Sequence, residues 1–299
     1  VYLNTNEHTR HDSRVQTRES RFIRDFKENY PIHPLVRLAP LLHQLRAVKQ
    51  TQEVALIQKA CDITKLGFER ILPFVKPGIC EFVIEAELIH EFIRNRSKGF
   101  AYQPIIASGA NACILHYIQN ESICQDGDLI LLDVAAEYAN YASDLSRTIP
   151  VSGRFSKRQK EVYQAVLRVL KTSQSMLVAG TLMDEYQVEV GKIMESELIG
   201  LGLMTQKDID NQNPEWPAYK KYFPHGNSHF LGLDVHDVGN RYRRFEAGNV
   251  LTCEPGIYIR EEGLGIRLEN NILITEDGNI NLMAHIPIEI DEIESLMNP

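Results

Sequence analysis

Hydrophobic positions along the chain change period several times, and each change predicts an element. From Thr51, the residues Val54, Ile57, Cys61 and Phe68 recur at helical spacing, and Pro77-Gly78 marks the predicted stop. A second amphipathic helix is predicted from Glu81 to Arg96. The turn signal Asp126-Gly127 then introduces "DLILLDVAAEYANYASDLSRTIPV", which reads as two strands folded back on each other. Ser156-Lys157-Arg158-Gln159 has the form of a capping box, and Val162, Val166, Val169 and Leu170 carry a helical face on towards Gly180. Another helix is predicted from about Asp184 to Leu201, and "NVLTCEPGIYIREEGLGIRLENNILIT" reads as a second strand pair. Two helices followed by a strand pair thus occur twice, without residue-level identity. This is the pattern of an α+β domain with an internal pseudo-repeat. The earlier segment "FKENYPIHPLVRLAPLLHQLRAVK" is predicted to end in proline-punctuated extended chain, with a domain boundary near Leu45.

Composition narrows the function classes. The 299 residues are 43% hydrophobic and 24% charged, the balance of a globular protein with a substantial core. A net charge of −8 without a basic stripe argues against a nucleic-acid partner. The longest apolar run, around "LILLDVAA", is interrupted by Asp133 and is too short for a membrane span. Five cysteines without a CxxC pair predict reduced thiols, buried spectators in a cytoplasmic protein. The chain opens on Val1, and residues 1–30 are polar with no apolar core of a leader, which reads as the interior of a longer protein.

The candidate chemistry lies in acids and histidines. A turn centred on Tyr138-Ala139 would set Asp133 directly opposite Asp144 on the first strand pair. A turn centred on Glu261-Glu262 would likewise set Glu254 opposite Glu269 on the second. Facing residues on paired strands have Cβ atoms roughly 4.5–5.5 Å apart, so like charges there repel and call for a cation. Asp133 also ends an almost wholly apolar strand, where a bare carboxylate is costly. The stretch "HGNSHFLGLDVHDVG" adds His225, His229 and His236. Its glycines argue against a zincin helix, so one imidazole can ligate while the others line the site. Ser228 is a weak nucleophile candidate, because "GNSHF" is not GxSxG. A mixed oxygen and nitrogen ligand set suits Mn²⁺, Co²⁺, Fe²⁺ or Zn²⁺, and four carboxylates suit two bridged ions roughly 3.5–4 Å apart.

Together "LLDVAAEYANYASDLSRT", "HGNSHFLGLDVHDVG", "LTCEPGIY" and "GIRLENN" resemble the catalytic domain of the pita-bread metallopeptidases, most closely their aminopeptidase P branch. The resemblance runs from about Leu45 to the C-terminus. It implies an internal pseudo-two-fold fold, a catalytic domain over 45–299, and residues 1–44 as the tail of an amino-terminal domain plus linker. It also implies five metal ligands, Asp133, Asp144, His229, Glu254 and Glu269, for two divalent ions, foremost Mn²⁺. Asp144 and Glu269 are then the bridges, Asp133 completes one site, and His229 and Glu254 complete the other. His116, His225, His236, Arg267 and Tyr258 match positions around the metals and substrate. The implied reaction is attack of a metal-bridging hydroxide on the first carbonyl of a peptide with proline at position two. In it Glu254 shuttles the proton towards the leaving proline nitrogen, and His236 and His116 steady the oxyanion or substrate backbone. A homodimer or homotetramer is the implied assembly.

Alternatives within the fold are a prolidase, restricted to Xaa-Pro dipeptides, a methionine aminopeptidase, and a binding module or creatinase-type hydrolase without metals. None of the five ligand positions is degraded, which favours metal-dependent catalysis. A dinuclear phosphoesterase lacks its usual dense His/Asp clusters here. Cys253, next to Glu254, is expected to be either inert or a point of oxidation sensitivity.

Overall fold

The computed structural model describes residues 1–5 and 16–299. Strand β1 (Tyr2–Leu3) runs parallel to β2 (Val36–Arg37), and α1 (Arg18–Asn29), which buries no residue, lies between them in the chain. The extended lead-in expected before residue 48 is largely a helix, α2 (Ala39–Ala47). Pro40 falls in its first turn, where a missing N–H leaves nothing unpaired and φ is already helical.

Two similar sets of elements come next. Helix α3 (Thr51–Ile71) opens with a capping box between Gln50 and Glu53. It ends before the predicted Pro77-Gly78 because Pro73 removes the N–H that another turn would use. Helix α4 (Glu81–Arg94) packs along α3, with Gly67 as the close contact: a Cβ there would lie 2.5 Å from the Phe92 ring. Strands β3 (Ile105–Ser108), β4 (Leu129–Asp133) and, beyond the tip formed by β5 (Glu137–Tyr138) and β6 (Tyr141–Ala142), β7 (Ser146–Pro150) make an antiparallel sheet ordered β3-β4-β7.

The second set opens with α5 (Lys157–Met176), held by the predicted capping box of Ser156 and Gln159, and α6 (Met183–Gly200) packed on it. After a short α7 (Gln206–Asp210) come β8 (Val250–Cys253), β9 (Gly256–Ile259), β10 (Leu264–Arg267), β11 (Asn270–Thr275) and β12 (Gly278–Asn281), and α8 (Ile290–Met297) closes the chain. Strand β10 lies against β4 and β7, which joins the two sets. Ile57, Ile130, Ile149, Val166, Ile257 and Ile272 are all inaccessible members of one continuous core. Each such side chain contributes about 1.5–3 kcal/mol by leaving water.

The register of the second hairpin is the one expected. Cys253 pairs with Asn270 and Gly256 with Arg267, so the same register runs on both sides of a break that places Glu254 across from Glu269. The first hairpin corrects its expectation. It turns at Ala139-Asn140, both with positive φ (52° and 70°), and Asp133 faces Ser146 rather than Asp144. A two-residue turn of this kind needs both central residues in the left-handed region; Asn takes that conformation far more readily than Tyr138 would.

Ser156→Ala should destabilise the protein by about 1 kcal/mol through loss of the α5 cap. Urea denaturation with an unchanged slope would show it; an unshifted midpoint would mean that the cap is idle.

Candidate metal centre

Where the two hairpins meet, a cavity of about 400 Å³ is lined by Asp133, Asp144, His229, Glu254 and Glu269, and also by His116, His225, His236 and Arg267. Asp144, His229 and Glu269 each present a ligand atom to one point, all within 4.8 Å of one another. His229 Nε2 lies 3.3 Å from Asp144 Oδ2 and 3.6 Å from Glu254 Oε1. Tyr258 does not line the cavity but stands behind it, against His225 and Arg267.

The ligand atoms are aimed by hydrogen bonds from outside. Asp144 sits where its own hairpin ladder is interrupted, and the Asn271 side chain takes over: Asp144 N donates to Asn271 Oδ1 (3.0 Å) and Asn271 Nδ2 donates to Asp144 O (2.7 Å). Ser146 Oγ donates to Glu269 Oε2 at 2.7 Å, while Glu269 Oε1 is buried with no hydrogen-bond partner. His229 Nδ1 faces Phe230 O at 2.9 Å; a proton there leaves Nε2 with its lone pair towards the acids, as a ligating imidazole requires. Tyr102 donates to Asp133 Oδ1 (2.6 Å) and Arg267 Nη2 to its Oδ2 (2.5 Å).

Arg267 also starts a directional chain. Its Nη1 donates to the Tyr258 hydroxyl at 2.8 Å, which lies 2.8 Å from His225 Nε2, and His225 Nδ1 lies 2.8 Å from Gly226 O. With Tyr258 already accepting from Arg267, its proton points to Nε2, and the histidine proton sits on Nδ1. Burial and the Arg267 charge push His225 down to about 3, which keeps it neutral.

Crowded acids hold protons here. Burial, then the neighbouring Asp144 carboxylate, pushes Glu269 well above the usual carboxylate range. Burial pushes Glu254 up to about 7 despite His229 and Arg267. For His229, burial opposes the charge, but Asp144 and Glu254 outweigh it and raise the imidazole to about 9. An unpartnered buried carboxylate oxygen, acids driven towards protonation and an imidazole facing them fit a divalent cation.

Several contributors carried no signal in the sequence. Tyr102, Ser146 and Asn271 act through contacts across the fold; Ser146 and Asn271 stand close to the acids in the chain, but nothing in their spacing marks them as supports. Glu81, fully buried at the start of α4, accepts from Ser108 N and Oγ, Tyr117 Oη and Ser122 N, and so anchors the segment carrying His116. The cysteines are all free, as expected, but only Cys61, Cys124 and Cys253 are buried. Cys253 points away from the cavity to Ser173, Tyr186 and Asn227, and burial raises its thiol to about 11, which makes it the inert neighbour. Among the described residues no helix is long and apolar enough to cross a membrane.

Two helix pairs and two hairpins closed around this cavity form the pita-bread fold. The chain belongs to metallopeptidase family M24, whose model matches residues 55–276. It is 42% identical to the Xaa-Pro aminopeptidase of Haemophilus influenzae over 87% of this chain and 63% of that protein. To that of Escherichia coli it is 43% identical, over 86% of this chain and 61% of the relative. The chain therefore spans about three-fifths of the length of these relatives. A zinc-substituted E. coli aminopeptidase P in complex with product superposes with a TM-score of 0.88 at 38% identity, covering 96% of this chain and 70% of that one.

Glu254 and His229 bind protons more tightly folded than unfolded. Each contributes stability that is complete below its ordinary value, 4.5 or 6.5, and is lost as pH rises through about 7 or 9. The melting temperature of metal-free protein should therefore fall from pH 7 towards pH 9, above the range in which the lowered proton affinity of His225 acts in the opposite sense. Added Mn²⁺ should restore it most at the alkaline end, where the ligands are deprotonated. Scanning calorimetry across that range tests both, and a flat profile would contradict the buried-acid account.

Proposed function

We propose that this chain carries the catalytic domain, over residues 45–299, of a metal-dependent aminopeptidase that releases the N-terminal residue from peptides with proline in the second position. The observation that carries the reading is the meeting of Asp133, Asp144, His229, Glu254 and Glu269 in one cavity, with Glu269 Oε1 buried and unpartnered. Identity of 42–43% to Xaa-Pro aminopeptidases supports the substrate class. These five residues would hold two divalent ions, foremost Mn²⁺, with Asp144 and Glu269 shared between them. Bound there, the ions supply a water deprotonated near neutral pH and polarise the scissile carbonyl.

The chain's own residues do the rest. Glu254 would take the proton of the attacking water and hand it to the proline nitrogen as the C–N bond breaks. His116 and His236, both exposed and both lining the cavity, would hold the substrate backbone and the developing oxyanion. Neutral His225, with Tyr258 and Arg267 behind it, gives the substrate a fixed polar wall. The unpaired thiols support a cytoplasmic setting, and the family resemblance supports a homodimer or homotetramer.

Release of the first residue from an Xaa-Pro-Xaa tripeptide, beside an Xaa-Pro dipeptide and a Met-Ala peptide, with and without Mn²⁺, tests the reading. Metal-dependent tripeptide cleavage is expected, and dipeptide-only cleavage would make the protein a prolidase. Asp144→Asn and Glu269→Gln should each lose both ions, measured by metal analysis; two ions retained per chain would contradict the bridging roles. His236→Ala should keep its metal and lose turnover by about 100-fold, on the scale of losing one oxyanion donor. Undiminished activity would remove it from the mechanism.

A further inference from the structure

His236 belongs to a loop with no regular secondary structure, 231–239, yet its ring packs edge-on against that of His229 with centroids 4.3 Å apart. A loop histidine needs an anchor to keep such a position. The next residue supplies one. The Asp237 side chain is 1% exposed, and so is its partner Lys49, whose Nζ lies 3.5 Å from Asp237 Oδ2. Arg46 Nη2 donates to Asp237 Oδ1 and also, at 2.7 Å, to Asp234 of the same loop.

The surrounding main chain is shaped around this cluster. Asp237 N donates to Phe230 O at 2.9 Å and closes the loop, and Ala142 N donates to Gly232 O at 2.8 Å and fastens it to β6. A Cβ on Gly232 would lie 2.2 Å from Asp237 Oδ2 and 2.9 Å from Lys49 Cε, so only glycine lets the ion pair close over the main chain. A Cβ on Gly239 would lie 2.1 Å from the Phe230 ring, so the far end of the loop is closed just as tightly. Lys49 N is itself fixed to Gly248 O at 2.8 Å, just ahead of β8. The aspartate thus ties the histidine loop to the chain that enters the domain. None of the cavity-lining acids takes part.

We propose that Asp237 is a positioning residue for His236, holding the imidazole over the cavity by binding the loop to Arg46 and Lys49. The inference rests on the proposed part of His236 in turnover. In the 299-residue chain loaded with Mn²⁺, Asp237→Asn should lower kcat on an Xaa-Pro-Xaa tripeptide roughly ten- to a hundred-fold. The KM should stay within about two-fold, with bound metal unchanged. Because Asp237 acts through His236, the Asp237→Asn/His236→Ala double variant should be no slower than His236→Ala alone; losses that multiply would overturn the proposal.

A second readout needs no substrate. In histidine-labelled protein the imidazole NMR signal of His236 should shift or broaden in Asp237→Asn while that of His225 stays in place, and an unmoved His236 signal would overturn the anchor. If the parent chain cuts no Xaa-Pro peptide, the functional reading fails and the imidazole signal alone decides the role of Asp237. If Asp237→Asn does not fold, Arg46→Met retains the Lys49 pair and should show a smaller change of the same sign. No change in either readout would again count against the link.

Discussion

Two hydrogen bonds exchanged between the Asn271 side chain and the main chain of Asp144 join the halves of this molecule at the point where the acids crowd together. Asp144 lies where its own hairpin ladder breaks, so its buried N–H and C=O would otherwise be unpaired, a loss of about 1–3 kcal/mol for each group. Because Asn271 belongs to the second hairpin, the position of the first acid pair is set by the second. The carboxylates repel, and no local element holds them together; the fold does so by pinning the backbone that carries them.

A common arrangement recurs around the cavity. Four of the side chains facing it are oriented by groups behind them: Ser146 for Glu269, Tyr102 and Arg267 for Asp133, the Phe230 carbonyl for His229, Tyr258 for His225. Those supports sit on strands or on chain fixed to strands. The cost of crowding acids is carried by raised proton affinity, which a cation relieves. Stability without metal and affinity for metal are therefore opposed properties of the same residues.

The sequence made the repeat legible, because the change from helical to alternating spacing occurs twice and the Ser156 cap is a local signal. The second hairpin register was legible as well, since Glu261-Glu262 and the left-handed Gly263 allow one symmetric turn. The first was misplaced by one turn position, because YANYA offers two adjacent centres and only the left-handed conformations of Ala139 and Asn140 decide between them. Pro40 read as a sign of extended chain, yet it begins α2; a proline can break a helix or start one, and the residues after it decide between the two. Acids and histidines announced themselves by their chemistry. Tyr102, Ser146 and Glu81 did not, because a tyrosine, a serine or a helix-start glutamate gains meaning only from a neighbour distant in the chain.

The Arg267, Tyr258 and His225 chain has a polarity of its own. It begins at a guanidinium that cannot accept a proton and ends on a main-chain carbonyl, with each hydrogen pointing the same way. Protonating His225 at Nε2 would require the Tyr258 hydroxyl to turn off its acceptor, back towards the cation that donates to it. The chain therefore behaves as a rectifier: its hydrogens keep one direction, so it presents one unchanging electrostatic face to the cavity whatever protons the neighbouring acids hold.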